Sequence, residues 1–132
     1  MKSLNIPEFV DDKCSIKVTD DDNENEIKVK FAGKISARNP NEIFDPFFES
    51  LAQKLQENNI KHINLDTIEL EYINSSAIRM FIDWINSVKK LPIDKRCNIK
   101  FLYNANSPWQ ESTFSMFFRT FSEIVSLQEY DA

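Results

Sequence analysis

A single glycine, Gly33, stands among 132 residues, and that scarcity removes whole classes of function. Glycine-rich phosphate loops and the dinucleotide fingerprint both need several positions where backbone can approach a phosphate, so neither can be built from this chain. Only one histidine, His62, is present, and the two cysteines, Cys14 and Cys97, lie far apart with no Cys-x-x-Cys spacing. A metal site has no cluster to start from, and the cysteines read as reduced thiols rather than a bridge. No apolar run approaches a membrane span and no apolar N-terminal signal stretch is visible, so a soluble cytoplasmic protein is expected. Basic excess is missing too. A net charge of −5 and a pI near 4.9 leave out the electrostatic footprint of a nucleic-acid binder.

What the chain has in quantity is apolar side chain: 42% hydrophobic residues, eleven phenylalanines among them, enough for one domain over residues 1–132 without metal or disulfides. Residues 1–13 mix polar and apolar side chains and read as an N-terminal extended arm. Residues 15–19 alternate, as do Ile27, Val29 and Phe31 with Lys28 and Lys30, giving two strands, the second ended by Gly33. The acidic stretch 20–26 between them resembles a cation loop only superficially. It lacks the turning glycine, so a solvated hairpin tip is the better reading.

Asn39-Pro40 with Glu42 suggests a cap, and Asp45-Pro46 repeats the signal, so a short turn followed by a main helix is expected. Phe44, Phe47, Phe48, Leu51 and Leu55 form its apolar stripe, and Asn58-Asn59 closes it. A strand through Ile60, Ile63 and Leu65 ends near Asp66, a position that in α/β sheets often borders the working crevice. Later come a strand with Ile99, Phe101 and Tyr103, and a helix opened by Ser107 as cap, Pro108 and Gln110. Phe114, Phe117, Phe118 and Phe121 stripe that helix, Trp109 serves either as partner anchor or as docking residue, and a last strand covers 125–127. The order of elements implies an α/β domain with a mixed sheet and helices packed chiefly on one face.

The stretch around which all this is organised is Glu69-Leu70-Glu71-Tyr72-Ile73-Asn74-Ser75-Ser76-Ala77-Ile78-Arg79, where a strand-like run meets two serines and a periodic helix. Ile78, Phe81, Ile82, Ile85 and Val88 recur at helical spacing, and Asn74 and Ser75 are both good N-caps. Serines at a helix start ordinarily do no more than cap it. A hydroxyl there is also a place where an added anion is welcome, because the first N–H groups have no intrahelical partner.

Residues 62–66, then 68–73 and Asn74-Ser75-Ser76-Ala77-Ile78, resemble the strand, turn and Asp-Ser-Ser-Gly-Leu helix start of the STAS domain of bacterial anti-sigma-factor antagonists. Leu70-Glu71-Tyr72-Ile73-Asn74-Ser75-Ser76 is more similar still to the Leu-Glu-Tyr-(Phe/Leu)-Asn-Thr-Ser-Ser signature of SiaC-type regulatory phosphoproteins, a STAS-like branch that controls a diguanylate cyclase. Residues 33–51, with Asn39-Pro40-Asn41-Glu42 and Phe44-Asp45-Pro46-Phe47-Phe48, resemble that branch as well, so the likeness spans about 27–88. Asn74 replaces the acidic residue of the antagonist motif, and Ala77 replaces Gly or Ser. Aligned on the antagonists the phosphorylated residue is Ser76; aligned on the SiaC type it is Ser75.

The resemblance implies a STAS-like fold and a partner-switching module without catalysis or cofactor. Serine phosphorylation would control binding to an output partner, either a diguanylate cyclase or an anti-sigma factor. A kinase of the histidine-kinase-like ATPase type would add the phosphate and a PP2C-like phosphatase would remove it. Asn74, Ser75, Ser76, Ala77, Arg79 and Asp66 are the expected partner-binding residues. Alternatives are a small-ligand sensor or a non-switching interaction domain. A small acid-base or nucleophilic enzyme using Ser75 or Ser76 is disfavoured, since no glycine follows the serines to make a nucleophile elbow and the one histidine lies well upstream.

Overall fold

Ile27, Val29 and Phe31 are completely buried while Lys28 and Lys30 stay partly open, so the alternation in this strand separates a covered sheet face from an uncovered one. The computed structural model describes residues 9–10, 13–20 and 25–130. In chain order they form β1 (Phe9–Val10), β2 (Cys14–Asp20), β3 (Glu26–Ile35), α1 (Pro40–Glu57), β4 (His62–Ile73), α2 (Ser75–Lys89), a short 3-10 turn (Ile93–Lys95), β5 (Asn98–Asn104), α3 (Pro108–Thr120) and β6 (Val125–Tyr130). The strands lie in the sheet in that same order, antiparallel from β1 to β3 and parallel from β3 to β6. Each parallel step carries one helix, and right-handed crossovers that all advance in one direction leave their helices on one face. The expected mixed sheet with one helical layer is therefore what the chain adopts.

Phe81 of α2 sits at the middle of that layer. Its ring meets Phe31 at 5.6 Å, Phe48 and Phe117 each at 6.3 Å, and Phe101 at 6.4 Å between centroids, so one side chain touches β3, α1, α3 and β5 together. Phe101 also stacks on Phe114 at 4.7 Å, and Phe48 on Trp84 at 4.9 Å. Such pairs contribute about 0.5–1.5 kcal/mol each beyond area burial. The buried face of α2 is Ala77, Met80, Phe81, Trp84, Ile85 and Val88; Ile78 and Ile82 flank it, half-buried. In α3, Phe114 and Phe117 are buried but Phe118 is 42% exposed, so it is not part of the core stripe expected for it.

Several boundaries differ from expectation for local reasons. Gly33 does not end its strand: β3 continues to Ile35, and Gly33 sits opposite Cys14 at φ 97°, where a Cβ would lie 2.1 Å from the Lys13 carbonyl oxygen. Close backbone approach is what requires the glycine. α1 is one helix from Pro40, not a turn followed by a helix, and Pro46 lies inside it. Asn39 caps with no side-chain bond, although its carbonyl accepts from Glu42 N–H at 3.1 Å. At the other end Asn58 Nδ2 donates to the Lys54 carbonyl at 2.9 Å and Asn59 turns left-handed at φ 55°, as two terminal asparagines suggest. β6 extends past 127 to Tyr130. Of the expected arm, Phe9–Val10 form β1 beside β2; residues 1–8 and 11–12, like 21–24 where a hairpin tip is expected, lie outside the described residues.

β4 is a single strand of 12 residues, not a strand and a separate extended run. It pairs with β5 only as far as Asp66 and with β3 all the way to Ile73, with register shifts that insert extra residues on β4. Where β5 peels away, Gln110 takes over. Its side chain, 1% exposed, donates to the carbonyls of Thr67 at 2.7 Å and Leu70 at 2.8 Å and accepts from Asn104 N–H at 2.8 Å. Gln110 therefore patches the sheet instead of completing a capping box, and Ser107 makes no side-chain cap bond.

Candidate functional site

The carboxyl ends of β3 and β4 emerge at the same border of the sheet, because the two strands are parallel and Ile35 stands opposite Ile73. One leads through residues 36–39 into α1, the other directly into α2. Asn74 joins the two exits. Its side-chain oxygen accepts from Ala77 N–H at 2.8 Å, capping α2, while its Nδ2 donates to the Ala37 carbonyl at 2.9 Å and its backbone N–H to the Ile35 carbonyl at 3.0 Å. Asn74 is thus a structural junction between the two exits, and it is half-buried there.

The two serines occupy the first positions of α2. Ser75 is exposed and Ser76 half-buried, and both line an open cleft of about 450 Å³ with Arg38, Asn39, Pro40, Asn41, Glu42 and Arg79. Arg79, one turn beyond Ser75, is exposed on the same side, where helical spacing puts it. Arg38 was not among the expected site residues. Its position depends on the parallel pairing of β3 with β4, and the only hint in the chain is its place immediately before Asn39-Pro40.

Two of the expected contact residues do not join this surface. Ala77 is 0% exposed, its methyl turned into the core beneath α2, so it offers a partner no accessible surface. Asp66 is 8% exposed and stands across from Lys30 on the helix-free sheet face, with Lys28 Nζ 4.0 Å away and Ile68 N–H donating to it at 3.1 Å. On that face Lys30 is also paired with Glu69, which holds its ammonium above the usual lysine range. Asp66 is mid-strand, not at the strand end, and does not line the cleft.

A second, more apolar groove of about 500 Å³ continues from Asn41 between α1 and α2, floored by Phe48, Met80 and Trp84 and edged by Asp45, Glu49 and Asp83. Trp109 is half-buried against Phe114 at 6.0 Å, a docking position within the domain. Among the described residues no cluster of His, Cys, Asp and Glu could hold a metal ion, and no helix is long and apolar enough to cross a membrane.

The family model of SiaC family regulatory phosphoproteins matches residues 12–129. The chain belongs to the SiaC family. No curated protein matches it in sequence. Among solved structures it is similar to the crystal structure of an anti-sigma factor antagonist from Mycobacterium paratuberculosis, with a TM-score of 0.55 at 12% identity over 94% of this chain and 91% of that one. At that identity the likeness speaks for fold alone: a SiaC-family chain has the STAS-like architecture of an anti-sigma factor antagonist. Membership makes this a regulatory phosphoprotein by family, and the Asn-Ser-Ser helix start lies well inside the matched span.

Proposed function

We propose that this SiaC-family chain is a phosphorylation-gated binding module in a partner-switching pathway, with Ser75 as the modified residue. The observation that carries the reading is the exposed Ser75 hydroxyl at the mouth of the cleft, at the position that matches the phosphorylated residue of the SiaC signature. Ser76, the alternative from the antagonist motif, is half-buried behind it. In the unmodified state the cleft mouth, with Ser75, Ser76 and Arg79, contacts the output partner, a diguanylate cyclase or an anti-sigma factor. A histidine-kinase-like ATPase phosphorylates the serine and a PP2C-like phosphatase resets it, in the cytoplasm.

Binding rather than catalysis fits the geometry around the serines. His62 opens β4 and Ser75 follows its far end, so a strand of 12 residues separates them, roughly 30 Å or more at the usual rise. No general base comes from that residue. A phosphoserine adds about 1.5 to 2 negative charges near neutral pH, and an interface built for a bare hydroxyl would have to bury them. Phosphorylation should therefore release the output partner while leaving the fold nearly unchanged.

Intact-mass analysis of protein purified from its own cells, with and without phosphatase treatment, tests the modification; a phosphate-sized shift on Ser75 is expected. Titration calorimetry of native, Ser75→Asp and Ser76→Asp proteins against the output partner tests the gate. Equal affinity for native protein and for stoichiometrically phosphorylated protein would end the proposal.

A further inference from the structure

We infer that Arg38 and Arg79 together form a receptor for the phosphoryl group of Ser75, so that modification draws the cleft closed upon its own arginines. The inference rests on the proposal that Ser75 is the modified residue, and it adds how the modified state is held. Arg38 reaches the cleft from the segment after β3, and Arg79 from the second turn of α2, so the two guanidinium groups come from separate elements to one opening that Ser75 shares. Both are exposed, and among the described residues neither guanidinium takes part in an ion pair or hydrogen bond, whereas that of Arg96 pairs with Glu123 and bonds the Leu91 carbonyl. The charged side chains that line the cleft are Arg38, Arg79 and Glu42, a net positive charge of one in a chain whose total is −5. Two like charges brought to one cleft are an arrangement that an anion between them would relieve.

The backbone around Arg38 is already in place. Asn74 holds Ile35 and Ala37 by their carbonyls at 3.0 and 2.9 Å, so the chain leading into Arg38 is tied to the residue that precedes Ser75. Little ordering of backbone is left to accompany binding, which favours the contact. Guanidinium is also the suitable group: its planar fork meets phosphate oxygens two at a time, in charge-assisted bonds roughly twice as strong as neutral ones. A phosphoserine dianion between two arginines is close to neutralised. The modified surface then differs from the bare one in two ways, since the hydroxyl is covered and both arginines are withdrawn from any acidic partner.

In the modifying step Ser75 Oγ attacks the γ-phosphorus of ATP, the new Oγ–P bond forms as the bond to ADP breaks, and the hydroxyl proton passes to solvent. Hydrolysis with one water returns the serine and releases inorganic phosphate. Between these steps the receptor holds the ester.

The test installs phosphoserine at position 75 of the full chain during translation, independently of any kinase, and follows its 31P resonance through a pH titration. In the native background the second ionisation should fall below the value of about 6 for free phosphoserine. Arg38→Gln and Arg79→Gln should each raise it by about half a unit, and the double variant should raise it by about their sum, leaving only the lowering that the helix start itself supplies. Glu42→Gln should lower it further. Dephosphorylation by a nonspecific phosphatase should be several-fold faster in the double variant. A phosphate that titrates identically in all backgrounds, or responds to Arg79→Gln alone, overturns the two-armed receptor. Thermal unfolding of the unmodified variants serves as the control for folding, and both exposed arginines should be replaceable without loss. If native protein carries no phosphate on Ser75, the proposed function fails by the mass measurement, while the titration still reads the receptor separately.

Discussion

Replacing Gln110 with Leu removes a side chain that, with the Thr67 hydroxyl donating to the Leu102 carbonyl at 2.8 Å, bridges β4 and β5 after their backbone pairing stops. Three bonds vanish: from Nε2 to the Thr67 and Leu70 carbonyls, and from Asn104 N–H to Oε1. Leucine has a similar volume, so the cavity contribution is small and the cost comes from polar groups left without partners at a site that is 1% exposed. Each unsatisfied buried group costs about 1–3 kcal/mol, and a carbonyl keeps some recourse to water near the strand ends, so a total of about 3–5 kcal/mol is expected. That is a large part of the roughly 5–15 kcal/mol available to a domain. At about 4 °C per kcal/mol the midpoint should drop by about 12–20 °C. Urea unfolding should show a lower midpoint with an unchanged slope, meaning stability and not compactness has altered. Ser107→Ala is the contrast, because that hydroxyl makes no cap bond and the change should stay within about 0.5 kcal/mol. If Gln110→Leu cost less than about 1 kcal/mol, or no more than Ser107→Ala, the bridging role would be wrong.

Asn74→Ala should cost about 2 kcal/mol, since the α2 cap and the tie to Ala37 go together, whereas Ser75→Ala should cost under about 0.5 kcal/mol; chemical denaturation of both separates junction from signal. Gly33→Ala should destabilise by about 2–4 kcal/mol, because φ 97° is strained for alanine and its Cβ meets backbone, not a mobile side chain; a loss under about 1 kcal/mol would mean that β2 and β3 separate easily there. Burial pushes the Cys97 thiol above its ordinary range, with Lys61 opposing only in part, so the folded state holds the proton more tightly than the unfolded one. Its contribution is present below the unfolded value of about 8.5 and is lost as pH rises beyond it. Cys97→Ala should therefore flatten the decline in stability above about pH 8.5, measured by urea midpoints across pH; an unchanged slope would count against it.

Periodicity was enough for the elements that bury one face. Ile27, Val29 and Phe31 in β3, and the stripe from Phe81 to Val88 in α2, declare themselves because burial repeats every second residue in a strand and every three to four in a helix. The run Asn74-Ser75-Ser76 was legible as a helix start for the same local reason: cap chemistry lies within four residues. By itself the sequence thus determined the element types, most of the core, the Ser75-Ser76 pair with Arg79 beside it, and the family likeness. Properties that depend on which strands are neighbours were decided only in three dimensions. Parallel pairing of β3 with β4, with extra residues absorbed by β4, brings Ile35 opposite Ile73 and so places Arg38 at the serine cleft, 37 residues earlier in the chain than Ser75. The same register turns Asp66 to the helix-free face, and the departure of β5 from β4 gives Gln110 three backbone partners that no capping rule foresees. Ala77 lies against the core and not at the cleft because packing of α2 on the sheet decides which side of the first turn is buried. Local propensity acts over a few residues, while register and packing couple residues tens of positions apart, and the cleft is built from the latter.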